Sequence, residues 1–147
     1  MRVFVDADGC PVVEETIALC REFGHPCTLV ADTSHYMVRE GAETVTVTKG
    51  ADAVDFKLVN MIAPGDLVVT QDYGLASMVL ARRGYAVNQN GRFFTDDNIL
   101  ALLSERHESA RQRRSGKHLK GPSKRSPEQD QAFIHALTEF FHSLSKS

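Results

Sequence analysis

Two acidic clusters follow directly on apolar runs in this chain. Asp6-Ala7-Asp8-Gly9 comes after Val3-Phe4-Val5, and Thr70-Gln71-Asp72 comes after Leu67-Val68-Val69. The β-branched and aromatic runs read as short buried strands, and a carboxylate at the end of such a strand gains little structurally. A third group, Asp52 and Asp55, opens a helical stretch and lies one turn apart on its face. Carboxylates that converge repel one another: two of them about 4 Å apart cost roughly 4 kcal/mol at an effective dielectric near 20. Three or four converging acids therefore call for a cation or a bound proton, and an all-oxygen donor set selects Mg²⁺ or Mn²⁺. Such an ion can orient a phosphodiester, generate a hydroxide nucleophile and stabilise the leaving oxygen. On this reading Asp6, Asp72 and one of Asp52 and Asp55 hold the metal, Asp8 supports or bridges them, and Thr70 is a polar neighbour.

Each of these residues also has a plainer explanation. Asp8 and Asp52 stand where they would cap a helix, Asp55 would be a solvated helix residue, and Asp72 a turn former after a strand. Thr70 suits a strand whatever else it does. Asp6 is the hardest to explain without chemistry. Cys10 reads as a small residue at a helix start rather than a nucleophile, and His35 and Tyr36 carry no signal beyond a loop.

The elements that must position these groups follow from periodicity. Strands are expected over Val3–Val5, Cys27–Ala31, Thr44–Thr48, Leu67–Thr70 and Tyr85–Asn88. Between them lie helices: one after Pro11, stopped at Gly24; one over Asp52–Ile62; one from about Leu75 to Arg83; and one capped by Thr95 that carries Ile99, Leu102 and Leu103. Ser126-Pro127-Glu128-Gln129 opens a last helix over about 127–144, with Phe133, Leu137, Phe140, Phe141 and Leu144. Strands alternating with helices imply a single α/β domain: a three-layer sandwich around a mainly parallel sheet of about five strands. Ligands of such sheets bind beyond the carboxyl ends of the strands, where Asp6 and Asp72 stand on one edge.

Charge is unevenly spread. Residues 1–105 hold 8 lysines and arginines against 15 acids, whereas residues 106–125 hold 8 against Glu108 alone. Residues 111–125, with Arg111, Arg113, Arg114, Lys117, Lys120, Lys124 and Arg125, read as a basic loop that would grip phosphates without regard to sequence. A solvated tail is the plainer reading. Three cysteines without paired spacing argue against a disulfide framework, and the absence of C-x-x-C, with six scattered histidines, argues against zinc. The first residues are too short an apolar run for a signal peptide, and no stretch is long enough to span a membrane, so the expected location is the cytoplasm.

Asp6-Ala-Asp8-Gly9-Cys10-Pro11-Val12, Gly50-Ala-Asp52-Ala-Val-Asp55 and Gly65-Asp66-Leu-Val-Val-Thr70-Gln71-Asp72 with Leu75-Ala76 closely resemble the YaiI/YqxD family of bacterial proteins. The likeness continues through Gly91-Arg92, Thr95, Asn98-Ile99, Arg106, Arg114, Gly116, Gly121-Pro122, Asp130 and Phe133, so it spans nearly the whole chain. Gly9 stands where the resemblance leads one to expect alanine. Phe56 stands where the family often has a further acid, which reduces what the helix can contribute. The family's domain looks like a PIN-type nuclease domain, in which strand-end and helix acids bind metal and cut RNA. The resemblance thereby implies that Asp6 is the first-strand acid, Asp52 or Asp55 the helix acid and Asp72 the fourth-strand acid, in a metal-dependent phosphodiesterase acting on RNA. Two alternatives stand beside it. Val3-Phe-Val-Asp6-Ala-Asp8-Gly9 also resembles the opening of haloacid-dehalogenase-type phosphatases, with Asp6 as nucleophile, Asp8 as acid/base, and Lys49 and Asp66 or Asp72 in the later motifs. A non-catalytic RNA-binding module that keeps the acids as a structural metal site is the other. Oligomeric state is left open.

Overall fold

A computed structural model describes residues 1–32, 37–48, 53–114 (backbone alone from 106) and 124–145. Six strands, β1 (Val3–Asp6), β2 (Cys27–Asp32), β3 (Glu43–Val47), β4 (Leu67–Val69), β5 (Tyr85–Val87) and β6 (Phe93–Phe94), form one sheet in the order β3-β2-β1-β4-β5-β6. The first five pair in parallel, and β6 runs antiparallel to β5. The five helices are α1 (Val13–Phe23), α2 (Ala53–Met61), α3 (Tyr73–Ala81), α4 (Asp96–Arg114) and α5 (Pro127–Ser145).

The central strands are buried on both faces, so their apolar runs are continuous rather than alternating. Val3, Val5, Leu29, Leu67, Val69 and Val87 pack towards Ile17, Leu19, Phe133 and Leu137 of α1 and α5. Phe4, Val30, Val68 and Ala86 pack on the other face against Leu58, Leu75, Val79 and Ile99 of α2, α3 and α4. This is the expected three-layer α/β sandwich with a mainly parallel sheet. From β1 the chain passes through α1 to β2 on one side, and from β4 through α3 to β5 on the other. Strand order therefore reverses between β1 and β4, where parallel sheets open a crevice at their carboxyl ends.

Three features differ from the sequence expectation. The sheet has a sixth strand, of only two residues, returned by a turn in which Asn88 Oδ1 accepts the N–H groups of Asn90 and Arg92. Two residues are too few for a periodic signal. Helix α3 begins at Tyr73, two residues before the apolar periodicity, because Asp72 caps it. Helix α4 continues to Arg114, so Arg111, Arg113 and Arg114 extend a helix rather than open a loop. The stretch lacks apolar residues, but glutamate, alanine, glutamine and arginine are strong helix formers whether or not they pack. Lys117 and Lys120 lie outside the described residues, as do Asp52, Lys49, His35 and Tyr36.

Gly91 closes the β5–β6 turn with φ +85°, and a Cβ there would come within 2.7 Å of Ala136 Cβ and 2.8 Å of the Ala132 carbonyl. Glycine thus allows both the left-handed backbone and the close approach of α5 around Ala132 and Ala136.

Candidate acidic site at the strand ends

Continuing the alternation of β1 and β4 puts Asp6 on the same face as Phe4, and Thr70 on the same face as Val68. Val5 pairs with Val69, so the next residues along, Asp6 and Thr70, face each other across the crevice. Thr70 is 2% exposed and ties the two strand ends together. Its hydroxyl donates to Asp6 Oδ2 at 2.8 Å and accepts the Asp72 N–H at 3.0 Å. Asp72 Oδ1 in turn accepts the Leu75 N–H at 3.0 Å, as the N-cap of α3. Asp72 is therefore a helix cap, a role more specific than the turn former considered above.

Asp8 is not the cap of α1: the N-cap position is Val12, without a side-chain bond. The Asp8 side chain crosses instead to β2, where Oδ2 accepts the Asp32 N–H at 3.1 Å. Asp32 is a third strand-end acid that the sequence reading stopped one residue short of; its signal was an acid directly after the apolar run Leu29-Val30-Ala31. Gln71 donates from Nε2 to the Gly9 carbonyl at 3.0 Å and pins the turn after β1 to the turn after β4.

Asp6, Asp8, Gln71, Asp72 and Tyr73 line a cleft of about 380 Å³. Tyr73 packs edge-on to Phe94, 5.7 Å between centroids, which holds its ring at the cleft wall. Burial pushes the Asp6 carboxyl above its ordinary value; the Thr70 hydrogen bond opposes this, and the charges of Asp72 and then Asp8 add to it. Cys10, beside the cleft, has its thiol pushed up to about 11, chiefly by burial, so it stays protonated at neutral pH. Asp55 lies in the first turn of α2 and is not among the residues lining this cleft. Among the described residues, no three aspartate, glutamate, histidine or cysteine side chains are assembled as a ready-made metal cage.

Of the basic residues, Arg125 is held beside this site. Its Nε donates to Asp130 Oδ1 at 2.7 Å, Nη1 to Asn90 Oδ1 at 2.7 Å and Nη2 to the Gln89 carbonyl at 2.6 Å. Asp66, by contrast, lies at the amino end of β4. There its carboxylate accepts the Arg2 N–H, the Arg2 guanidinium and the Ala63 N–H. It is on the opposite edge of the sheet from Asp6, so it cannot serve as a later motif of a phosphatase built on Asp6.

A family profile described as "Uncharacterized BCR, YaiI/YqxD family" matches residues 4–143. The chain belongs to the YaiI/YqxD family. A UPF0178 protein of Exiguobacterium sibiricum is 53% identical over 143 residues, covering 95% of this chain and 98% of that protein. A UPF0178 protein of Clostridium acetobutylicum is 44% identical over 139 residues, covering 93% and 94%. Among solved structures, that of Rae1 (YacP) from Bacillus subtilis (W164L mutant) superposes with a TM-score of 0.47 at 12% identity, over 98% of this chain and 99% of that one. No helix among the described residues is long and apolar enough to cross a membrane.

Proposed function

We propose that this YaiI/YqxD protein is a Mg²⁺- or Mn²⁺-dependent phosphodiesterase acting on RNA, with Asp6 and Asp72 at its centre. The observation that carries the reading is the link from Asp6 through Thr70 to Asp72 across the β1–β4 switch point. Burial and two neighbouring carboxylates disfavour the charged form of Asp6, and a cation in the cleft would relieve that cost. The donors are all oxygens, which suits Mg²⁺. Mg²⁺ binds through one or two carboxylates together with waters and substrate phosphates, which is the number of carboxylates that Asp6 and Asp72 supply.

Asp6 and Asp72 would hold the ion, with Asp8 in support. When bound, it would polarise the phosphodiester and help to generate the attacking hydroxide. Thr70 holds the Asp6 carboxylate in one orientation, and the α3 cap does the same for Asp72. Asp8, anchored to the end of β2, adds negative charge that favours a cation in the cleft. The cations between residues 106 and 124 would attract the substrate backbone, which the acidic cleft alone would repel.

The test pairs binding with turnover. Calorimetric titration with Mg²⁺ and Mn²⁺ should show saturable binding that Asp6→Asn removes. Mixed-sequence single-stranded RNA should be cut in Mg²⁺ and spared in chelator. Asp6→Asn should slow cleavage on the order of 100-fold or more, since the ion contributes several kcal/mol to such reactions. Absence of both metal binding and cleavage would sink the proposal, and metal and RNA binding without cleavage would assign the chain to the non-catalytic alternative.

A further inference from the structure

A second cleft, of about 510 Å³, adjoins the acidic one and shares Gln71 with it. Gln71, Gln89, Asn90, Arg125 and Gln129 are among its lining residues, and among the described residues no carboxylate lines it. Resting on the RNA reading above, we infer that this cleft is a nucleobase subsite: it takes one unstacked base of a single-stranded RNA whose neighbouring phosphate lies at Asp6 and Asp72.

The lining chemistry selects the ligand class. Four carboxamides line it; Gln71 Nε2, Asn90 Oδ1 and Gln129 Oε1 each make one protein bond and keep a second donor hydrogen or lone pair, so together they can pair with both the donors and the acceptors of a base edge. The volume falls within the range of small-ligand pockets. Among the described residues Arg125 is the one cation lining the cleft, and it is not arranged for capturing a phosphate. Three of its five N–H donors are committed in the guanidinium plane, to Asp130, to Asn90 and to the Gln89 carbonyl. Asp130 also offsets its charge at 2.7 Å. The group is left as a rigid, partly exposed plate (side chain 23% exposed), and its faces are suited to stacking on a planar ring. An anion would meet one neutralised cation among amides; a neutral, planar, polar ring meets matched edges and a stacking surface.

The position ties the subsite to the acids. Gln71 stands between Thr70 and Asp72 in the chain and holds the Gly9 carbonyl, one residue from Asp8. The wall between the two clefts is therefore made by the segments that carry the acids. Gln129 anchors the far side, because its Oε1 accepts the Ser126 N–H at the start of α5.

The experiment measures base recognition with cleavage switched off. A labelled single-stranded RNA and an abasic strand of equal length and charge are titrated by fluorescence anisotropy in chelator. The wild-type chain should bind the base-bearing strand about tenfold more tightly, the size expected of one stacked base. Arg125→Lys keeps the charge but loses the plate, and should bring the ratio to within about twofold. Gln89→Ala, which leaves the Gln89 carbonyl that holds Arg125, should reduce it in part and serves if Arg125→Lys lowers the melting temperature. Equal binding of both strands by the wild-type chain, or binding of neither, overturns the subsite, as does an undiminished ratio in both variants. The same samples with Mg²⁺ added report the other claim separately. Cleavage with no preference for bases leaves the phosphodiesterase standing and removes the subsite, whereas base preference without cleavage does the reverse.

Discussion

Asp6 sits where the chain works against its own stability. Burial and the charges of Asp72 and Asp8 raise its pKa above 3.8, and only the Thr70 hydroxyl opposes them. The linkage has a definite sign. Below pH 3.8 the carboxyl is protonated in both the folded and the unfolded chain, and the folded state carries no penalty. As pH rises from there, the unfolded chain ionises first and stability falls, until the folded carboxyl ionises as well. Asp6→Asn keeps an oxygen for Thr70 and removes the charge. Its melting temperature at neutral pH should therefore exceed that of the metal-free wild type, a gain on the order of 1 kcal/mol. The gain should shrink as the pH is lowered towards 3.8, when followed by circular dichroism. Saturating Mg²⁺ should raise the wild-type melting temperature and leave that of Asp6→Asn unmoved, since only the former gains binding energy on folding. A variant less stable than wild type at neutral pH would mean that Asp6 is a structural residue.

Asp72 belongs to two elements at once, and the two roles can be separated. It caps α3 through the Leu75 N–H and also contributes charge to the cleft. Asparagine is as good an N-cap as aspartate but carries no charge, whereas alanine can do neither. Asp72→Ala should lower unfolding free energy by about 1 kcal/mol in denaturant titrations. Asp72→Asn should leave it within error and still weaken Mg²⁺ binding on the order of tenfold in calorimetry. If both variants bind metal like the wild type, Asp72 is a cap and nothing more. The start of α3 was legible only in part from sequence for the same reason: apolar periodicity locates the packed face, while the cap two residues earlier depends on one polar side chain. Helix α4 shows the converse, since its last turn carries no apolar stripe and periodicity alone predicts a loop there.

Across the molecule, an acidic body carries one strongly basic segment. If that segment holds RNA by its phosphates, each engaged cation adds about 0.7 to the slope of log affinity against log salt for a single strand. Replacing Lys117, Lys120 and Lys124 with glutamine should then lower the slope by about 2, with little change in base preference, because Arg125 and the amide cleft are untouched. An unchanged slope in a salt titration would make the segment a solvated surface.

The strand-end placement of Asp6 and Asp72, the α/β alternation and the charge asymmetry are all written locally, in runs of a few residues, so the amino-acid order was enough to read them. Asp32 beside Asp8, and the gathering of Gln71, Gln89, Asn90, Arg125 and Gln129, were not legible in that way. Those contacts join residues far apart in the chain, and they depend on strand order, on a two-residue strand and on the close approach of α5 at Gly91. An isolated glutamine or asparagine has no periodicity and no partner within reach of a local pattern. Its role appears once folding brings its neighbours to it, as it sets an amide-lined cleft beside the acids Asp6 and Asp8.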